Sequence, residues 1–128
     1  MHGAAYGAQK AGMDKMAADM AVDFKGTGVS TVSIWMGPLL TERAQRTFEA
    51  APDEAYQQFA AQAETPEFPG LIIGALADWN DLDSVSGQTL IGAEIAEKLG
   101  IKDSNGKQPP SYRQMLGEPR QAHPAVIR

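Results

Sequence analysis

Tyr6 and Lys10 stand four residues apart near the start of the chain, in the run Tyr6-Gly7-Ala8-Gln9-Lys10. On a helix that spacing puts both side chains on one face, with the ammonium beside the phenol. A positive charge there favours the phenolate and lowers the tyrosine pKa from its ordinary value of about 10. The result is a group suited to moving a proton on or off an alcohol oxygen. Spacing alone does not separate such a pair from a tyrosine and a lysine that share a solvated face, so its meaning depends on the segments that follow.

The pattern from Ala4 to Lys25 is helical, with Met13, Ala17, Met20 and Phe24 forming one buried stripe and Asp14, Lys15, Asp19 and Asp23 on other faces. Gly26-Thr27-Gly28 ends the helix, because glycine tolerates the left-handed turn. Val29 to Trp35 reads as a strand whose nearly continuous apolar content suits cover on both faces. Helix, glycine turn and buried strand form half of a parallel βαβ unit. Met36-Gly37-Pro38 breaks the strand. In open α/β sheets ligands bind just past the carboxyl ends of strands, which marks the loop from Gly37 to Glu42 as a site by position.

Residues 42–63 are amphipathic and helical, anchored by Phe48, Tyr56 and Phe59, with a second helix starting at Pro52-Asp53-Glu54. Thr65-Pro66-Glu67-Phe68 repeats that start signal and leads into an apolar helix from Leu71 to Trp79. Asn80 to Ser86 is a polar loop, Thr89-Leu90-Ile91 a second short strand, and Ala93 to Leu99 a short helical turn closed by Gly100. Beyond Lys102 come Asp103-Ser104-Asn105-Gly106 and Pro109-Pro110, a tail expected to order only by docking. The expected division is therefore an α/β part over 1–102 and a tail over 103–128. Two parallel strands cannot shield both edges of their sheet. The chain reads as the C-terminal part of a Rossmann-like, doubly wound parallel sheet that is incomplete by itself.

A chain of 128 residues that is 43% hydrophobic fits one folded domain. Its net charge of −5 is spread without a basic patch, so nucleic acid is not an expected partner. No apolar run is long enough to span a membrane, and no basic-then-apolar start suggests a secretory signal. The absence of cysteine removes disulfide, thiol and thiolate-metal chemistry and leaves a cytoplasmic setting as the expectation. His2 and His123 sit at opposite ends, without the spacing of a zinc site.

Taken in order, Tyr6-Gly7-Ala8-Gln9-Lys10-Ala11, the glycine turn, the strand to Trp35 and Gly37-Pro38-Leu39-Leu40-Thr41-Glu42 resemble the short-chain dehydrogenase/reductase family. Gly87-Gln88-Thr89-Leu90 is similar to the family's last core strand. The resemblance implies that Tyr6 exchanges a proton with a carbonyl or alcohol oxygen. It implies that Lys10 lowers the tyrosine pKa and hydrogen-bonds the ribose of NAD or NADP. Gly37 and Thr41 match the family's loop, and the Leu39 backbone falls where the nicotinamide carboxamide is held. Met36 replaces the family's usual proline, and Pro38 lacks an N–H that Leu39 keeps.

In the family, the glycine-rich phosphate loop, the ribose selector and the catalytic serine lie ahead of this segment. Gly26-Thr27-Gly28 follows a helix where a phosphate loop would follow a strand. The expectation is thus an NAD(P)-dependent oxidoreductase of small carbonyl or alcohol substrates whose segment is not active alone. Two alternatives stay open. One is a cofactor-free module, a homo-oligomer that associates through the helix from Tyr6 to Lys25 by way of Met13, Met16, Met20 and Phe24. The other is a truncated gene product.

Overall fold

The computed structural model describes residues 3–50, 53–123 and 125. His2 and Pro52, both singled out above, lie outside the described residues. The chain divides into two compact units, Met1–Trp35 with Trp79–Leu90 and Pro119–Arg128, and Met36–Asp78 with Ile91–Glu118.

In the first unit, helix α1 covers Ala4–Asp23 and ends as the Phe24 N–H bonds back to the Met20 carbonyl at 2.9 Å. Gly26 and Gly28 then turn the chain with φ of 80° and 81°, the left-handed region that disfavours side chains. Strand β1, Ser33–Trp35, pairs in parallel with strand β2, Thr89–Ile91, as a two-stranded sheet. This is the α/β character expected of part of a Rossmann-like sheet.

β1 is shorter than the strand expected from Val29, and Val29 itself is half-exposed. Ahead of β1, the Thr31 hydroxyl donates to the Ala17 carbonyl at 2.7 Å, its N–H donates to the Ser86 hydroxyl at 3.1 Å and its carbonyl accepts the Gly87 N–H at 2.7 Å.

The methionines of the stripe are left exposed by the chain's own described residues. Of Met13, Ala17, Met20 and Phe24, only Ala17 is buried, while Met13 and Met16 are about half exposed. Spacing told which side chains share a face, not which face is covered. The covered face is the one carrying the alanines. At Gly87 an added Cβ would stand 3.0 Å from the Ala21 Cβ and 3.7 Å from the Ala18 Cα, a close approach that small residues on both sides permit. The stretch read as a polar loop contains a 3₁₀ turn, Leu82–Val85, that buries Val85.

In the second unit, α2 (Glu42–Ala50) and α3 (Glu54–Gln62) pack on each other. Helix α4, Phe68–Ala77, begins three residues before the expected Leu71 because Pro69 is accepted in its first turn. Its Phe68, Ile72 and Leu76, at four-residue spacing, are buried. Each contributes about 2 kcal/mol by leaving water. Helix α5, Gly92–Lys98, packs on α4. An added Cβ at Gly92 would meet the Met36 Sδ at 2.7 Å and the Ile72 Cδ1 at 3.2 Å. Met36, where the family's proline was expected, is thus a packing residue against α5.

A short helix α6, Arg113–Leu116, ends this unit, and residues 103–118 lie within it with Asp103 and Tyr112 buried. Among the described residues no helix is long and apolar enough to cross a membrane.

Candidate functional site

The helical spacing brings Tyr6 and Lys10 together on α1. The Lys10 Nζ lies 5.5 Å from the Tyr6 ring centroid, within reach of the ring's negative face. Tyr6 is 45% exposed. One turn beyond Lys10 stands Asp14, off the methionine stripe as its spacing predicts. Its carboxylate accepts the Ser33 hydroxyl at 2.6 Å and the Trp35 Nε1–H at 3.1 Å on each oxygen. These bonds pin α1 to β1 and so fix the helix's rotation, which sets the direction of the Tyr6–Lys10 stripe. The signal was present in the four-residue continuation Tyr6, Lys10, Asp14.

Gly37, Leu39 and Thr41 belong to the second unit, where Glu64 organises them. The Glu64 backbone runs beside Leu39 as a parallel bridge. Its N–H donates to the Pro38 carbonyl and its carbonyl accepts the Leu40 N–H, both at 2.8 Å. That bridge does not draw on the Leu39 N–H. The Glu64 side chain turns back and accepts the Gly37 N–H on both oxygens at 3.0 Å. Gly37 is a glycine for space rather than for φ. A Cβ there would sit 2.6 Å from the Glu64 Oε1 and 2.8 Å from the Tyr112 Cε2.

Thr41 has a structural task that its sequence position did not advertise. Its hydroxyl accepts the Ala44 N–H at 3.2 Å and its carbonyl takes the Gln45 N–H at 2.8 Å, making it the N-cap of α2. The Thr41 N–H closes a tight turn onto the Leu39 carbonyl at 2.9 Å.

Glu64 is fully buried. Loss of hydration disfavours its charge, the Gly37 N–H favours it, and the nearby Asp103 carboxylate opposes it. Burial wins, and the pKa is raised to about 7. Asp103 is itself buried and holds Thr65, accepting the Thr65 N–H at 2.8 Å and its hydroxyl. Tyr112 closes the other side, donating its O–H to the Gln62 carbonyl at 3.3 Å. Burial, reinforced by the Glu64 charge, raises the Tyr112 pKa. Ring contacts run outward from Tyr112 to Phe59, Phe48 and Tyr56, at centroid distances of 6.2, 6.4 and 6.3 Å. The aromatic anchors read from the sequence thus line α2 and α3 up with the Gly37 loop.

Glu64 escaped sequence reasoning because a glutamate at a helix end reads as solvated. The Leu39 N–H is a backbone donor outside the loop's own bridge. Among the described residues there is no group of three or more His, Cys, Asp or Glu side chains placed to hold a metal ion.

Two curated proteins are similar to the chain. It is 35% identical over 113 residues to the human protein named dehydrogenase/reductase SDR family member 1, and 32% identical over 113 residues to the mouse protein of the same name. Each match covers 84% of this chain and 36% of the relative, so the chain spans little more than a third of their length. No protein-family model matches the chain.

Proposed function

We propose, from the premise that this chain belongs to the short-chain dehydrogenase/reductase family as a part-length counterpart of its members, that it carries the proton-transfer groups of an NAD(P)-dependent carbonyl/alcohol oxidoreductase. The observation that carries this reading is Lys10 lying 5.5 Å over the ring of the exposed Tyr6. Tyr6 gives a proton to a carbonyl oxygen in reduction and takes one from an alcohol in oxidation. Lys10 supplies positive charge over the Tyr6 ring and is the residue that would hydrogen-bond the cofactor ribose. The Leu39 N–H receives the nicotinamide carboxamide, with Gly37 and Thr41 shaping the loop around it. A bound nicotinamide supplies or takes the hydride. Turnover is not expected of the chain alone, because Gly26-Thr27-Gly28 is a helix exit rather than a phosphate cradle. A cytoplasmic setting completes the proposal.

The test is to follow amide signals of the ¹⁵N-labelled chain as NADH or NADPH is added to millimolar levels. Shifts at Leu39 and Thr41, without turnover of small aldehydes or ketones, are expected. A cofactor that leaves these amides unmoved overturns the assignment.

The exposed Met13, Met16 and Met20 favour a second reading, in which the chain self-associates through α1. Sedimentation showing a monomer at all concentrations would remove it.

A further inference from the structure

Glu64 has no part in the proton chemistry assigned above, yet it holds the Gly37 loop at Gly37, Pro38 and Leu40. Its backbone bridges Pro38 and Leu40, and its side chain holds the Gly37 N–H with both oxygens. The carboxyl group is sealed from water. It is faced by the Gly37 backbone, by the Tyr112 ring and phenol, and by the Asp103 carboxylate from the segment after α5. No Cβ fits between Gly37, Glu64 and Tyr112, so the loop cannot shift toward the carboxyl without displacing it.

We propose that Glu64 is the positioning residue of the Gly37–Thr41 loop: its ionised carboxylate fixes the loop conformation that presents the Leu39 N–H to the nicotinamide carboxamide, and its protonation releases that conformation. This rests on the assignment of Leu39 to the carboxamide. A carboxylate accepts the Gly37 N–H on two equivalent, charge-assisted oxygens. A carboxylic acid keeps one acceptor oxygen and turns the other into a donor. That new O–H needs an acceptor in a sealed space, and finding one draws the group away from Gly37. The two protonation states therefore favour two loop shapes. A midpoint near 7 makes both accessible around neutrality.

The experiment follows the Gly37, Leu39 and Leu40 amide signals of the ¹⁵N-labelled chain from pH 5 to pH 9. A single step with its midpoint near neutral pH is expected at all three. In Glu64→Gln, which retains an acceptor oxygen but does not titrate, the step is lost. A flat profile in the unsubstituted chain, or a step that survives in Glu64→Gln, overturns the proposal. Should that variant not fold, the Glu64 side-chain ¹³C carboxyl signal of the unsubstituted chain decides instead. It must titrate with the same midpoint as the Gly37 amide, and a different midpoint is fatal.

NADH is then added at pH 6 and pH 8. With about a tenth of Glu64 ionised at the lower pH and about nine tenths at the higher, apparent affinity read at Leu39 rises about tenfold. Equal affinity at both pH values overturns the gating. If NADH moves no loop amide at either pH, the nicotinamide assignment fails. The proton-linked loop is then judged on the cofactor-free step.

Discussion

Each unit of this protein is fastened by a carboxylate that reaches far along the chain, and the two solve opposite problems. Asp14 is half-buried and takes side-chain donors, the Ser33 hydroxyl and the Trp35 indole, to hold a helix on a strand. Glu64 is fully buried and takes a backbone donor, Gly37, to hold a loop. Burial of Glu64 is costly enough to bring its proton equilibrium to neutrality. The Asp14 tie positions a helix on a strand, where the Glu64 tie positions a loop. A carboxylate used as a fastener is moved toward neutral titration when burial strips the water from it, as at Glu64.

The largest effect that would sharpen this comparison is a pH dependence of stability. A carboxyl whose folded pKa is about 7, against an ordinary 4.5, binds its proton more tightly when folded. Its contribution is complete below pH 4.5 and is lost as pH rises through 7. Unfolding in urea at pH 5 and pH 8 should show stability lower at the higher pH by about 2 kcal/mol from this group. Glu64→Gln should flatten that slope, and an equal slope in the variant would locate the effect elsewhere.

Next in size is Gly37→Ala. The new Cβ meets the Glu64 carboxyl and the Tyr112 ring in space already filled, an overpacking cost of about 1–3 kcal/mol. Melting of the variant measures it, and an unchanged midpoint would mean that the loop yields freely.

Asp14→Ala should cost about 1–2 kcal/mol, since the Ser33 hydroxyl and Trp35 N–H lose their acceptor in a half-buried site. It should also change the tryptophan emission near neutral pH, which Glu64→Gln should leave alone. Identical spectral changes in both variants would break the distinction between the two ties.

The smallest effect is expected at Met16→Gln on the exposed face of α1, within about 0.5 kcal/mol of the unsubstituted chain. A larger loss would mean that this face is covered in solution.

Local chemistry was legible in the chain wherever residues close in sequence determine it. A four-residue spacing on a helix puts Lys10 over Tyr6 with no reference to anything else. A glycine exit and a short apolar run bounded by glycines marked α1 and β2 for the same reason, while α4 starts at Phe68 on Pro69 rather than on the Pro66 signal. Where reasoning from sequence stopped was the choice of face. Met13 and Met20 share a stripe with Ala17, but only the arrangement of Thr31 and Gly87 against the alanines shows which side is covered.

By itself the sequence determined the longer helices, the two strands and the Tyr6–Lys10 juxtaposition, because each rests on bonds or contacts within a turn or two, and the order of its motifs carried the family resemblance. The tertiary structure alone decided that Gly37 must lack a side chain and that Asp14 holds Trp35. It alone decided that Glu64 becomes a buried carboxyl poised near neutral pH. These partners lie 21 and 27 residues apart. Nothing in the chemistry of a lone glutamate says whether water will reach it. Only the packing of the Gly37 loop, Tyr112 and Asp103 around it does.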